Sequence, residues 1–189
     1  VISSGSTAFN GRPHAEANAL KKKINFNGST MYITLEPCVH YGKTSPCVNQ
    51  IIKNKIKKVY YPILDQDLRT RNKAKKILNK KKIKVVKNYL SNKAKKLYTS
   101  YFYSKINKIP YISGKIACSN DNYISTKNKY ITNKHSLKVS HLLRYKNDGL
   151  LVSYKTINSD NSKLTCRIKG LEHHSPKRFI IDKNVKIKK

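Results

Sequence analysis

Strand-like and helix-like segments alternate along the first hundred residues. Short runs rich in β-branched and aromatic side chains predict strands, and apolar residues three or four positions apart predict helices. In chain order the predicted elements are a helix at 13–20, a strand at 31–35, a helix starting at 45–46, a strand at 59–63, a helix at 72–78, a strand at 83–86 and a helix at 91–103. Because strands and helices alternate, the pattern predicts a three-layer α/β/α sandwich in which helices cover a sheet.

The pattern changes after residue 105. Residues 106–110 predict a linker, which would separate a first domain at 1–105 from a second, also α/β, at 111–189. The second domain's predicted elements are a strand at 111–117, a short strand or turn at 130–132, a helix at 136–145, and buried strands at 149–152 and 179–182. Fewer than eighty residues make a thin core. We therefore expect this second domain to be truncated.

The chain is strongly basic, with 41 Lys and Arg residues against 9 Asp and Glu residues and a formal net charge of +32. Such a charge favours polyanion binding, but 35 of the basic residues are Lys and only 6 are Arg. Nucleic-acid recognition favours Arg, and Lys, Asn, Ile and Tyr have codons rich in A and T. We therefore attribute the excess to base composition and expect solvated lysines, no nucleic-acid partner, and at most steering of a phosphorylated substrate.

Nothing in the sequence predicts a membrane segment. No apolar run approaches the roughly 20 residues of a spanning helix, and no signal-peptide pattern opens the chain. We therefore expect no membrane partner and a cytoplasmic location. Four cysteines in that setting indicate a metal site or free thiols rather than disulfides. Val1 and Ile2 predict the end of a strand whose beginning is absent, and because the first residue is not Met we also expect the true start to be missing.

Four residues form the candidate chemistry. His14, Cys38 and Cys47 are the three ligands that a catalytic zinc needs while its fourth position stays open for water. Glu16 lies two residues beyond the histidine, so its carboxylate can act as the general acid and base. This order, His-x-Glu followed by Pro-Cys and a later Cys, is typical of zinc deaminases. Taken singly, the cysteines could be buried thiols and the histidine a helix cap; taken jointly, the four favour zinc.

The spacer between the two cysteines is unusually long. Nucleoside deaminases have two residues there, whereas residues 39–46 make eight here. The loop is polar and basic, so it could contact a polar substrate. His40 could serve as a fourth protein ligand, which would make the zinc site purely structural.

The motifs resemble those of the bifunctional riboflavin-biosynthesis deaminase–reductase family, in which the spacer has this length. The first part of the resemblance lies in residues 12–17, 34–47 and Asp65. The second part lies at 115–121, 130–132, 143–144, Asp148, Thr156, Asp160, 164–165, Arg167 and 176–182. The resemblance implies a cytidine-deaminase-like sandwich followed by a dihydrofolate-reductase-like domain. It also implies that the chain lacks the family's N-terminal start and the C-terminal half of the reductase.

The resemblance implies a two-step enzyme with zinc and NADPH as cofactors. The first domain would deaminate 2,5-diamino-6-ribosylamino-4(3H)-pyrimidinone 5′-phosphate, and the second would reduce the ribosyl group to ribityl. The implied residues are His14, Cys38 and Cys47 for zinc, Glu16 for catalysis, His40, Lys43, Asp65, Arg144, Leu164 and Arg167 for substrate, and Cys118, Tyr130, Thr156 and Asp160 for NADPH. Whether the enzyme is a homo-oligomer is left open.

Two other functions are compatible with parts of the sequence. A deaminase acting on tRNA or a nucleobase would suit the charge, but the long spacer and the C-terminal motifs disfavour it. A non-catalytic, zinc-stabilised module that binds nucleic acid would also suit the charge. Such a module has no use for Glu16, and a structural zinc site normally has a fourth protein ligand.

Overall fold

The computed structural model describes residues 1–9, 11–124 and 131–187. It divides the chain into two compact units, Val1–Ser113 and Gly114–Lys189, close to the predicted linker. The last helix of the first unit extends to Asn107, into the residues predicted as that linker. Among the described residues, none of the helices combines the length and the apolar character that crossing a bilayer requires.

The first unit alternates helices and strands as predicted. Its elements are α1 (Ala15–Leu20), β1 (Thr30–Tyr32), α2 (Cys47–Lys53), β2 (Lys58–Tyr61), α3 (Ala74–Lys80), β3 (Lys84–Lys87), α4 (Ser91–Leu97) and α5 (Thr99–Asn107). The strands form a parallel sheet in the order β1-β2-β3. Met31 lies beside Val59, and Val59 beside Val85, so these three side chains share one face of the sheet.

That face carries the hydrophobic core, because α1, α2 and α3 pack their apolar side chains against it. The core residues are Leu20, Phe26, Val48, Ile51, Ile56, Val59, Tyr61, Ala74, Leu78, Ile83 and Val85. The opposite face bears Tyr32 and Tyr60, whose rings stack 4.7 Å apart. A groove on this side is also lined by Ala94 and Leu97 of α4. The first unit is thus the predicted α/β sandwich.

Two boundaries in the first unit differ from the sequence pattern. The helix predicted at 91–103 is two helices, because the backbone leaves helical geometry at Tyr98 (φ −98°, ψ 12°) between α4 and α5. Val1 and Ile2, expected to end a strand, carry no strand assignment, and both side chains are exposed.

The second unit contains α6 (Lys134–Lys146), β4 (Gly149–Ser153), α7 (Tyr154–Asp160), a 3₁₀ turn (Glu172–His174) and β5 (Lys177–Ile181). The two strands pair in parallel, with Leu151 beside Phe179. The prediction that both strands are buried is wrong. Every residue of β5 is exposed and β4 is at most half-buried, because neither helix packs over the sheet closely enough to exclude solvent.

The strand predicted at 111–117 is also wrong. These residues have a strand-like composition but form neither helix nor strand, because no strand among the described residues pairs with them. Tyr130, the first residue of the short strand or turn predicted at 130–132, lies outside the described residues. Residues 131 and 132 form a bend.

Candidate metal centre and its cavity

Two helix starts and one loop bring the predicted ligands together. His14 is the residue that precedes α1, Cys47 is the first residue of α2, and Cys38 lies in the loop after β1. The first two helices pack against each other, which places their N-terminal ends side by side. The backbone N–H of Val48 donates to the carbonyl of Cys38, so the loop is fixed to the start of α2.

The three ligand atoms are spaced as a zinc site requires. His14 Nδ1 lies 3.3 Å from Cys47 Sγ and 3.6 Å from Cys38 Sγ. Tetrahedral zinc bonds of about 2.1 Å to nitrogen and 2.3 Å to sulfur place these atoms about 3.6 Å apart. All three atoms lie within 4.8 Å of one another. The donor set and its dimensions therefore fit zinc.

The three predicted ligands shift one another's pKa values. Hydrogen bonding with the Cys47 thiol, helped by His14, lowers the pKa of Cys38, whereas the same bond and burial raise the pKa of Cys47. The hydrogen bond with Cys38 raises the pKa of His14. The backbone N–H of Cys47 also donates to Cys38 Sγ, at 3.3 Å. A metal ion that binds here displaces these protons.

Glu16 lies beside this cluster on α1, and only 8 % of it is exposed. Burial raises the pKa of its carboxyl group above the usual range. A buried carboxyl with a raised pKa can both accept and donate a proton near neutral pH. Glu16 lines the same cavity of about 810 Å³ as His14 and Cys38, so a bound molecule can reach all three.

The spacer loop is held by side-chain hydrogen bonds at its base. His40 Nδ1 lies 3.0 Å from the hydroxyl of Thr70, and Arg12 donates to the hydroxyl of Thr44 at 2.7 Å. Among the described residues, the metal cluster contains His14 and the two cysteines but not His40. The open alternative of His40 as a fourth ligand is therefore wrong, because its ring pairs with a threonine instead. Lys43 is exposed on this loop.

Asp65 lines the same cavity and is 7 % exposed. Its Oδ1 atom accepts the hydroxyl of Tyr101 at 3.2 Å and the backbone N–H of Asp67 at 3.0 Å. Both bonds reach the same oxygen, and none of the hydrogen bonds among the described residues reaches Oδ2. The structure thus places this predicted substrate residue in the same cavity as Glu16.

Sequence analysis missed the role of Glu36, a carboxylate that is 3 % exposed. Its two oxygens accept backbone N–H groups from Asp65 at 3.2 Å, Asn72 at 3.0 Å and Ala74 at 3.1 Å. One side chain therefore fixes the loop that carries Asp65 and caps the start of α3. In the sequence, only the position of Glu36 beside Pro37 and Cys38 indicates that it belongs to the site.

Two tyrosines of the cavity were also missed as site residues. Tyr98 and Tyr101 line it with Glu16, and the Tyr98 hydroxyl lies 2.7 Å from that of Thr34. The helical spacing of these tyrosines predicts only a packed helix face. No local pattern indicated that the face meets the metal centre.

In the second unit the predicted substrate residues cluster. Arg144 donates to the carbonyl of Thr165, next to the buried Leu164. Arg167 contacts both ring nitrogens of His141, through its backbone N–H at 3.2 Å and its Nε at 3.3 Å. Burial, followed by these two arginines, lowers the pKa of His141. Cationic side chains thus gather around α6.

The predicted cofactor residues of the second unit are distributed more widely than its predicted substrate residues. Cys118 is exposed in a segment without helix or strand, whereas Thr156 lies in α7 and Asp160 is its last residue. Tyr130 lies outside the described residues. All four cysteines are free, as expected from the absence of a disulfide framework.

Two family descriptions match the chain. Residues 2–63 match the "Cytidine and deoxycytidylate deaminase zinc-binding region", and residues 110–189 match the "RibD C-terminal domain". The chain is 35% identical over 181 residues to riboflavin biosynthesis protein RibD of Aquifex aeolicus, covering 94% of this chain and 51% of that protein. The chain belongs to the RibD family. RibD of Bacillus amyloliquefaciens is 31% identical, with 96% and 50% covered.

Solved structures of RibD proteins share this fold. The deaminase/reductase of Thermotoga maritima superposes with a TM-score of 0.85 at 34% identity, covering 97% of this chain and 54% of that chain. RibD of Acinetobacter baumannii gives 0.86 at 29% identity, with 99% and 55% covered. The chain spans about half the length of the RibD proteins it matches. The expected family and its two-domain fold are confirmed, and the zinc cluster lies within the residues that match the zinc-binding region.

Proposed function

We propose that the first unit is a zinc-dependent deaminase of riboflavin biosynthesis, joined to an NADPH-dependent reductase domain. The substrate would be 2,5-diamino-6-ribosylamino-4(3H)-pyrimidinone 5′-phosphate, and the reductase would convert the ribosyl group of the product to ribityl. The observation that carries the proposal is the cluster of His14, Cys38 and Cys47, because two of these ligands, His14 and Cys38, line one cavity with the buried carboxyl of Glu16.

His14 and the two cysteines would hold the metal. Bound zinc supplies Lewis acidity, which makes water a nucleophile at neutral pH. Glu16 takes a proton from the attacking water at a carboxylate oxygen and delivers it to the ring nitrogen. It would then take the second proton from the hydroxyl group added to the ring carbon and give it to the departing amino group, which leaves as ammonia. The raised pKa of Glu16 suits this alternation, because its protonated form is stable between the two transfers.

Substrate recognition would come from residues around the cavity. The unoccupied Oδ2 oxygen of Asp65 can accept an N–H of the aminopyrimidine, because Oδ1 already accepts two bonds. We assign the spacer-loop residues His40 and Lys43 to the polar ribose phosphate. This assignment is supported by the positive charge of the loop and by the hydrogen bond that fixes His40 to Thr70.

In the second unit we propose that Arg144, Leu164 and Arg167 bind the phosphorylated product of the deamination. Two guanidinium groups near one exposed loop suit a phosphate, since each can donate two parallel hydrogen bonds. We assign Cys118, Tyr130, Thr156 and Asp160 to NADPH on the resemblance of their motifs.

The partner of this enzyme would be a small phosphorylated pyrimidine rather than a nucleic acid. We propose a cytoplasmic location, which is supported by the four free cysteines, because reducing compartments keep thiols unpaired.

The first prediction tests Glu16. The full chain should contain about one zinc per chain and release ammonia from the diaminopyrimidine ribotide. Glu16→Gln should retain zinc but lose about a hundredfold to ten-thousandfold in kcat, because the proton carrier is gone. Metal analysis and an ammonia assay measure the two properties.

Glu172→Gln is the matched control, since that side chain is exposed on the 3₁₀ turn. It should leave kcat and zinc content unchanged. Normal turnover by Glu16→Gln would contradict the proposed role. Zinc-loaded wild-type protein that releases no ammonia would contradict the proposed function.

A further inference from the structure

The helix break at Tyr98 turns one aromatic side chain toward the metal centre's cavity. Tyr98 is the C-cap of α4 and also the N-cap of α5. Its side chain lines the cavity together with Glu16 and Asp65. It is more than sixty residues from Thr34 in sequence, yet their hydroxyl oxygens lie 2.7 Å apart. This contact joins α5 to the loop after β1, which leads directly to Cys38.

The hydroxyl pair has a hydrogen-bonding group to spare. Two hydroxyls carry two protons, and the bond between Tyr98 and Thr34 uses one of them. Among the described residues, none of the hydrogen bonds uses the other proton, and lone pairs remain on both oxygens. The pair can therefore donate one hydrogen bond and accept another within the cavity.

Aromatic packing fixes the position of the Tyr98 ring. It stacks on Phe102 with 5.8 Å between ring centroids and meets the edge of Tyr101 at 6.1 Å. Tyr101 is itself held by its hydroxyl's bond to Asp65. A ring held by two aromatic neighbours and by one hydroxyl pair loses little further freedom when a ligand binds, which favours specific recognition.

Tyr98 is also neutral at physiological pH. Burial raises the pKa of its hydroxyl, and the nearby carboxylates of Glu16 and Asp65 raise it further, although the bond with Thr34 opposes the change. The group therefore keeps its proton and offers an uncharged donor and acceptor beside two acidic residues.

We propose that Tyr98 is a specificity-determining residue of the deaminase: its hydroxyl, paired with Thr34, hydrogen-bonds a polar edge of the substrate's pyrimidine ring. This inference rests on the proposed function. The ligand class is a heterocycle that presents N–H or C=O groups at its rim. A hydroxyl pair can reverse its direction of donation, so it can bind such an edge whether the edge presents a donor or an acceptor.

The test separates binding from chemistry by using the Glu16→Gln background, in which substrate is bound but not turned over. Equilibrium dialysis with the diaminopyrimidine ribotide gives Kd for this variant and for the double variant that adds Tyr98→Phe. Loss of one hydroxyl should weaken binding about tenfold. In the active protein, Tyr98→Phe should raise KM by a similar factor and leave kcat close to wild type.

Tyr103→Phe is the matched control. Tyr103 lies on α5, the helix that follows Tyr98, but it packs against Tyr111 rather than lining the cavity. It should change neither Kd nor KM. A second pair of variants tests the partner hydroxyl. Thr34→Val should weaken binding, whereas Thr34→Ser, which keeps the hydroxyl, should retain it. Zinc content and the urea midpoint, measured for each variant, identify any that fails to fold.

The outcomes are distinguishable. An active wild type with an unchanged Kd and KM in Tyr98→Phe would overturn this inference and leave the proposed function intact. A zinc-loaded wild type that neither binds nor deaminates the ribotide would overturn the proposed function and the inference with it. Equal losses in Thr34→Val and Thr34→Ser would also overturn the inference, because the hydroxyl would not be the group that matters.

Discussion

At the scale of single residues, the site depends on three buried carboxyl groups that differ in their hydrogen-bond partners. Glu16, Glu36 and Asp65 are all less than a tenth exposed. A buried carboxylate is tolerated only where hydrogen bonds or charge compensate for lost hydration. Glu36 receives three backbone N–H groups, so its role is to hold the loop. Glu16 remains available for proton transfer.

The second prediction concerns Glu36. Glu36→Ala should lower the free energy of unfolding by about 3 kcal/mol, because it leaves three N–H groups without their acceptor, two of them buried. Urea denaturation followed by circular dichroism measures the change. Glu172→Ala, at an exposed position, should shift it by less than about 0.5 kcal/mol. Equal effects at the two positions would show that the Glu36 bonds do not stabilise the fold.

At the scale of secondary-structure elements, the metal centre acts as a junction between α1, α2 and the loop after β1. Each supplies one ligand, and α1 is only six residues long. A helix this short has little stability of its own and depends on its tertiary contacts. A metal ion that binds all three elements should therefore stabilise the packing of α1 against α2.

The third prediction follows from this junction. Removal of zinc by a chelator should lower Tm, and added zinc should restore it, because ligands that bind only the folded state stabilise it. His14→Ala should abolish both zinc binding and the response to chelator. Cys118→Ser should retain both, since that thiol is exposed outside the cluster. Full zinc occupancy in His14→Ala would rule out the site as described.

The break between α4 and α5 belongs to the same scale. Apolar residues continue at helical spacing through Tyr98, so the pattern predicts one helix. The backbone departs from that helix where the Tyr98 hydroxyl meets Thr34. Periodicity indicates which face of a helix is apolar, but it does not reveal a break at one residue after which the apolar spacing continues.

At the scale of the whole molecule, charge is distributed unevenly between surface and interior. Residues 1–113 contain four acidic residues, Glu16, Glu36, Asp65 and Asp67, and none of these side chains is classed as exposed. Asp67 is paired with Arg69 at 2.6 Å. The exposed charged side chains of this unit are therefore basic, which creates a positive field that attracts a phosphorylated substrate.

The fourth prediction tests this field. Raising the ionic strength from about 0.01 M to about 0.1 M shortens the Debye length from about 30 Å to about 10 Å. For the 5′-phosphorylated substrate, kcat/KM should fall several-fold, because steering is screened. The corresponding nucleoside without phosphate is the control and should show little change. The same salt dependence for both compounds would exclude steering through the phosphate.

In the second unit, amino-acid composition predicts strands and strand burial incorrectly. Residues 149–152 and 179–182 are apolar enough to predict buried strands, yet in the structure β5 is wholly exposed. Residues 111–117 form no strand at all. Strand propensity describes a side chain's fit to a pleated, half-buried surface, and burial depends on which other elements are present to cover that surface.

The sequence by itself determined which side chains could hold a metal and how strands and helices alternate in the first unit. Both are local properties, and the structure agrees with them, because His14, Cys38 and Cys47 lie together and the elements of the first unit alternate as predicted. The tertiary structure alone decided that Glu36 fastens a loop, that His40 binds Thr70 rather than the metal, and that Tyr98 reaches the cavity. These contacts join residues between 29 and 64 positions apart. Such pairings arise from the packing of whole elements, so they cannot be predicted from short-range sequence patterns.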